Sequence, residues 1–247
     1  MAHHPGDPPT ADQARFEEQI LESWQRHAAA WTQAIREDRI ESRRLVTNRA
    51  ILEAVWSRAP RSALDLGCGE GWLTHRLAGH GIDALGTDAV PALIEAAKTR
   101  GKGRFQLASY DAIAKGAIQE RFDVAIANFS LLGQQGVEDL FQAVPALLTP
   151  RGALIVQTMH PVLCRGDLPY ADGWRPGSWD GIPGDFSDPA PWFFRTIASW
   201  IRLFVRNGFA ITDIREPLHP NTFRPAAILF IGARISPLAP PHPPRQR

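Results

Sequence analysis

The chain has 247 residues, 44% of them hydrophobic and 21% charged, with 27 Lys+Arg against 26 Asp+Glu and a formal net charge of +1. It can bury a sizeable core without staples, and its balanced charge, without a basic stripe, argues against nucleic acid as a partner. Cys68 and Cys164 are too few and too far apart for a disulfide framework or a zinc site, no apolar run approaches the ~18 residues of a membrane span, and Met1–Gly6 carries no apolar signal region, so the expectation is a soluble cytoplasmic protein with no membrane and no metal.

In chain order, the first ten residues and the Pro-rich stretch 236–247 are expected as irregular tails. Residues 11–57 place Phe16, Ile20, Trp24 and Trp31, then Val46, Ala50 and Val55, at helical spacing, which predicts two N-terminal helices. From Ser62 the rhythm becomes short apolar runs separated by helical stretches. Strands are predicted at 63–66, 82–87, 105–108, 122–128 and 153–159, with helices at 72–78, 91–100 and 137–148. The runs are apolar throughout rather than alternating, as in a parallel sheet buried on both faces. Residues 160–194 break the pattern with many prolines and glycines and with Tyr170, Trp174, Trp179 and Trp192. A helix over 194–206, stopped by Asn207-Gly208, and strands at 209–215 and 226–233 complete the chain. The fold class is α/β: one domain over 11–235, a Rossmann-like doubly wound, seven-stranded, mostly parallel sheet with an antiparallel C-terminal hairpin, plus N-terminal helices.

The strongest signal is Asp65-Leu66-Gly67-Cys68-Gly69-Glu70-Gly71-Trp72, between the first strand and its helix. Glycines there let the backbone turn sharply and come close to a ligand at a helix N-terminus. A dinucleotide fingerprint needs a small residue where this chain has Trp72, and no Gly-Lys-Ser/Thr follows, so the NAD and ATP readings lose. What survives is D-x-G-x-G-x-G with an acid, Asp88, ending the next strand, where a carboxylate can accept two ribose hydroxyls.

This set resembles the first two motifs of class I S-adenosylmethionine-dependent methyltransferases over residues of roughly 60–235. Gln157-Thr158-Met159-His160-Pro161, Phe194-Arg195-Thr196 and Arg215-Glu216-Pro217 resemble a bacterial small-molecule group, and the chain is more distantly similar to ubiquinone-pathway O-methyltransferases. The resemblance implies S-adenosyl-L-methionine as cofactor, with Gly67, Cys68, Gly69 and Gly71 around its methionine part and Asp65 receiving its amino group. It further implies Asp88 and Ala89 at the ribose, Ser109-Tyr110-Asp111 at the adenine with the acid aligned to either Ser109 or Asp111, and Asn128-Phe129 beneath the sulfonium. Arg43 or Arg44 is expected at the cofactor carboxylate.

His160, at a strand end, is the first candidate for a general base, against a structural role. The aromatic insertion 160–194 reads as a lid over a planar or apolar acceptor, against a simple staple of rings. Strand four ends Asn128-Phe129-Ser130 rather than Asn/Asp-Pro-Pro-Tyr/Phe, which argues against DNA and protein-glutamine substrates. The expected reaction is SN2 methyl transfer to a small molecule, at oxygen rather than nitrogen, with a non-catalytic binder as the alternative of another class.

Overall fold

The computed structural model describes residues 11–235; both expected tails lie outside them. α1 (Ala11–Arg36) is followed by a π-helical turn, Arg43–Thr47, that runs directly into α2 (Asn48–Trp56). Then come β1 (Ser62–Leu66), α3 (Trp72–Gly79), β2 (Asp83–Asp88), α4 (Pro91–Lys98), β3 (Arg104–Leu107), α5 (Tyr110–Ala114), β4 (Phe122–Asn128) and α6 (Gln135–Ala143). A 3-10 turn, Val144–Leu147, leads into β5 (Leu148–Thr158), α7 (Pro161–Cys164), β6 (Gly173–Arg175), β7 (Trp192–Phe194), α8 (Ile197–Arg206), β8 (Phe209–Arg215) and β9 (Ile228–Arg234).

Seven strands form one sheet in the order β3-β2-β1-β4-β5-β9-β8. The first five pair in parallel, while β9 runs antiparallel to both β5 and β8. Strand order reverses between β1 and β4, and in an open α/β sheet the crevice for a ligand opens there, beyond the carboxyl ends of the strands.

Alternation along β1 sends Leu64 and Leu66 to the face packed by α6 and α8, through Leu140, Phe141, Leu203 and Phe204. Ala63 points to the other face, covered by Ile51, Val55, Leu73 and Leu77 of α2 and α3. Asp65 shares that second face and lies buried under α3.

Element boundaries differ from the sequence expectation where local chemistry intervenes. Pro145 turns the end of the predicted 137–148 helix into a 3-10 turn, because proline offers no N–H to the α-helical ladder. The short helix α5 was not expected; the Ser109 side chain caps it by accepting from Ala112 N at 3.1 Å. α8 starts at Ile197 rather than Phe194, since Thr196 caps it through Ser199 N at 3.1 Å and Phe194 is taken by the β6–β7 hairpin.

Candidate active site

The chain leaving β1 turns through three glycines in left-handed backbone, Gly67, Gly69 and Gly71, at φ of 74°, 58° and 84°. The N–H groups of Gly67 and Cys68 both donate to the Thr87 carbonyl at 2.8 Å, which pins the turn to the end of β2. At Gly67 a side chain has no room: a Cβ would stand 2.5 Å from Ser130 Cβ and 2.8 Å from Tyr110 Oη. Asp88 completes the turn, its Oδ2 accepting from Gly69 N and its Oδ1 from Val90 N, each at 2.9 Å. Each oxygen keeps further acceptor capacity, which suits a pair of vicinal hydroxyls.

Next to this turn lies a cavity of about 390 Å³, within the usual range for small-ligand sites. Its floor brings together Gly67, Gly69, Asp88, Ala89, Ser109, Tyr110, Asp111, Asn128 and Phe129, all expected from the sequence. Both candidates for the adenine register, Ser109 and Asp111, reach the lining. Tyr110 donates to the Ser130 carbonyl at 3.2 Å, and burial raises its phenol pKa. Phe129 holds φ of 56°, a conformation strained for a bulky residue, at the point where β4 ends in the cavity.

Five expected residues stand outside the lining. Cys68 is buried, its thiol pushed well up by desolvation, so it is a packing group rather than a nucleophile. Gly71 faces Phe105 and Ala97 instead, where a Cβ would come within 2.8 Å and 2.9 Å, and so allows the loop to pack on β3 and α4. Asp65 accepts from Thr74 Oγ1 at 2.8 Å; burial pushes its carboxyl up to about 7, with Glu70 and Asp88 adding like charge. Arg43 lies over the rings of Trp31 and Trp72, 5.7 Å and 5.3 Å from their centroids, and burial lowers its pKa. Its charge opposes the burial of Glu70, whose Oε1 has no hydrogen-bond partner among the described residues. Asp65 and Glu70, both buried, and the half-buried Arg43 therefore form a polar cluster behind the glycine turn.

His160 is the fifth. Its ring is buried at the end of β5, with Nε2 2.6 Å from Glu216 Oε1 and Nδ1 unpartnered among the described residues. The sequence places it at the active end of a strand, but the side chain is turned toward the loop that follows β8.

The cavity's outer wall comes from α1; the N-terminal helices were expected to fold over the cofactor, but no residue of this one was assigned to the site. Glu17, Ile20, Leu21, Trp24 and Trp31 of this helix all line it. The signal was an acid, Glu17, on the same helical stripe as Ile20, Trp24 and Trp31, where a plain packing face has none. On the far side, Leu132, Gly133, Gly136 and Asp139 close the wall around the start of α6.

The aromatic insertion was expected over the acceptor, yet Tyr170, Trp174, Trp179 and Trp192 are absent from the lining. They brace α1 and the β7–α8 junction instead. Trp174 meets Phe16 at 4.9 Å, and Trp179 meets Trp24 at 5.6 Å and His27 at 5.1 Å between ring centroids. Ser187 N donates to His27 Nε2 at 3.1 Å, and Tyr170 Oη accepts from Ile197 N at 2.9 Å. The insertion shapes the site at one remove, by holding the helix that walls it.

The family described as methyltransferase domain matches residues 36–214. A trans-aconitate 2-methyltransferase of Methylobacterium radiotolerans is 35% identical over 131 residues, 52% of this chain and 49% of that protein. The chain thus spans about half the length of the curated relative it matches. Among solved structures, the Burkholderia thailandensis 1,6-didemethyltoxoflavin-N1-methyltransferase, with bound 1,6-didemethyltoxoflavin and S-adenosylhomocysteine, aligns with a TM-score of 0.63 at 16% identity over 94% of each chain. An S-adenosylmethionine-dependent methyltransferase from Mesorhizobium loti aligns with a TM-score of 0.53 at 22% identity, over 71% of this chain and 91% of the other. At those identities the structural likeness speaks for the fold alone. The glycine turn, the strand order and a family match over most of the length agree: this chain belongs to the methyltransferase-domain family, in its class I form.

Proposed function

We propose that this protein transfers a methyl group from S-adenosylmethionine to a small-molecule acceptor, at oxygen. The observation that carries the reading is the cavity at the strand-order reversal, which joins the glycine turn, Asp88, the start of α5 and the end of β4 in one space.

The residues present fit the cofactor. Glycine at 67 lets the turn close tightly on Ser130 and Tyr110 while its backbone lines the cavity, and Asp88 offers two fixed oxygens for ribose hydroxyls. Behind the turn, the buried Glu70 and Asp65 carboxyls stand outside the lining and favour a cationic amino acid end by their charge rather than by contact. In these roles Gly67 and Gly69 receive the methionine part, Asp88 and Ala89 the ribose, Ser109 to Asp111 the adenine, and Asn128 with Phe129 the sulfur. Arg43, over the Trp31 and Trp72 rings, steadies that cluster behind the turn.

S-adenosylmethionine, when bound, supplies an electrophilic methyl, so the protein's task is to hold a nucleophile in line with it and keep water out. Ile20, Leu21, Trp24 and Leu132 supply apolar walls for that purpose. A base at His160 has no part in this proposal, because the ring is committed to Glu216 and lies outside the lining. Oxygen rather than nitrogen is supported by the ubiquinone-pathway resemblance, and the absence of the Pro-Pro aromatic motif after Asn128 speaks against DNA and protein-glutamine substrates. The relatives' names point two ways, to trans-aconitate and to a ring nitrogen, so the acceptor panel includes both chemistries.

The test is a calorimetric titration with S-adenosylhomocysteine and with NADH, followed by incubation with S-adenosylmethionine and a panel of hydroxylated, carboxylated and amino compounds. Binding of the homocysteine form alone, with a product heavier by one methylene at oxygen, is the expected result. Binding without any product indicates a non-catalytic binder, and stabilisation by NADH alone overturns the reading.

A further inference from the structure

The cavity runs along α1 from Trp31, which stands at Gly69, to Glu17, which stands at Gly133. Those fourteen residues of helix span about 21 Å. The glycine-turn end is the cofactor's in the reading above, so the Glu17 end, beyond Asn128 and Phe129, is left for the acceptor.

The charges at that end have one sign. Glu17 and Asp139 line it, Asp88 and Asp111 line the remainder, and among the described residues no Lys, Arg or His contributes to the lining. The cation on this side, Arg195, is buried behind the wall. Its guanidinium donates to the carbonyls of Gly133 at 2.8 Å and Gln134 at 3.0 Å, and lies over the rings of Phe193 and Trp200. From the other side Glu17 Oε1 accepts from Gln134 N at 2.6 Å and Gln135 N at 3.0 Å. The 133–135 backbone is thereby clamped between a carboxylate and a guanidinium, and the carboxylate is the one that faces the cavity.

Glu17 holds one oxygen in reserve. Oε2 makes no hydrogen bond among the described residues and sits directly over Gly133, where any Cβ would collide with it; a Cβ at Gly136 would stand 3.5 Å away. Glycine at 133 gives this oxygen its place beside Ile20, Trp24 and Leu132, and a Cβ at 136 would only touch it. An acceptor-only oxygen between apolar walls receives an O–H or N–H, while a second carboxylate brought there meets Glu17 and Asp139 directly, with Arg195, the cation whose charge Glu17 feels, held out of the cavity behind the 133–135 backbone.

We propose that Glu17 selects the acceptor: its Oε2 takes a hydrogen bond from the hydroxyl or N–H of a flat, uncharged ligand, and the Glu17–Asp139 end turns carboxylate-bearing acceptors away. The proposal rests on the methyl-transfer reading for the position of the cofactor. It departs from what the name of the Methylobacterium relative says of that protein, which half of this chain resembles.

The experiment is calorimetric titration of the S-adenosylhomocysteine complex with matched probes, 3,4-dihydroxybenzamide against 3,4-dihydroxybenzoate and further amide–carboxylate pairs on larger aromatic rings, with trans-aconitate alongside. Neutral members are expected to bind at least ~100-fold more tightly than their carboxylates, and trans-aconitate not at all. In Glu17→Gln, which keeps an oxygen for the α6 N–H groups, the gap is expected to close to below ~10-fold, and S-adenosylhomocysteine binding serves as the control for folding. Gly133→Ala, which displaces the same carboxylate without removing it, is expected to weaken the neutral probes. Equal or tighter binding of the carboxylates, an unchanged gap in Glu17→Gln, or failure of every neutral probe while S-adenosylhomocysteine binds overturns the proposal and leaves the cofactor reading standing. Failure of S-adenosylhomocysteine itself to bind overturns that reading as well.

Discussion

At the scale of single residues, the glycine turn and the acid behind it carry the sharpest expectations. Gly67→Ala brings a Cβ against Ser130 and Tyr110 and fixes an L residue at φ of 74°. We expect a stability loss of about 1–3 kcal/mol and S-adenosylhomocysteine binding at least ~100-fold weaker, read by denaturant unfolding and calorimetry. Asp65 titrates from an ordinary value of 3.8 in the unfolded chain to about 7 in the fold, chiefly because it is buried. Its raised value means that the folded state binds the proton more tightly. Its contribution to stability is therefore full below pH ~4 and is lost as pH rises through ~7. The wild type should lose more stability than Asp65→Asn between those limits, and parallel pH profiles would contradict the assignment. His160→Ala, outside the cavity, should cost about 1–3 kcal/mol of stability through the lost packing of a buried ring, Glu216 being half exposed and open to water, while leaving S-adenosylhomocysteine affinity within ~threefold. A tenfold loss of affinity would place His160 back in the site.

At the scale of elements, α1 was the feature least legible in the sequence. Its apolar spacing shows a helix with a packing face but not what the face packs against, and here one helix serves two neighbours. Ile20, Trp24 and Trp31 look into the cavity, while Phe16 and His27 meet the insertion, and Trp24 touches both. The strands and the glycine turn were legible because their signals are local: unbroken apolar runs for a buried parallel sheet, and glycines where backbone must turn through positive φ. The roles of Tyr170, Trp174, Trp179 and Trp192 were not, since a ring's partner depends on long-range packing that periodicity does not encode. The bracing role has a measurable consequence. Trp179→Ala removes contacts with Trp24, His27 and Phe186, and should cost about 1–2 kcal/mol, less than a fully buried ring. Hydrogen exchange within α1 should rise while protection in β1 and β4 is unchanged. Uniform loosening of the whole sheet would argue that the insertion belongs to the core instead.

At the scale of the whole molecule, a net charge of +1 conceals an uneven distribution: among the described residues the cavity lining holds four carboxylates and no basic side chain. Composition could not show that the acids converge. The strand-order reversal places the ends of β1 and β4 side by side, so residues distant in sequence, such as Gly67 and Ser130, pack in contact. Among the described residues no helix is long and apolar enough to cross a membrane. The central claim is that methyl transfer takes place in this cavity with Asp88 holding the cofactor. Its most direct test is incubation of the wild type and Asp88→Ala with methyl-labelled S-adenosylmethionine and the neutral hydroxylated acceptors. The account expects label on a product oxygen with matching S-adenosylhomocysteine from the wild type, and a rate at least ~100-fold lower from a folded Asp88→Ala. Equal rates from the two proteins, or no labelled product from the wild type with any acceptor, would contradict it.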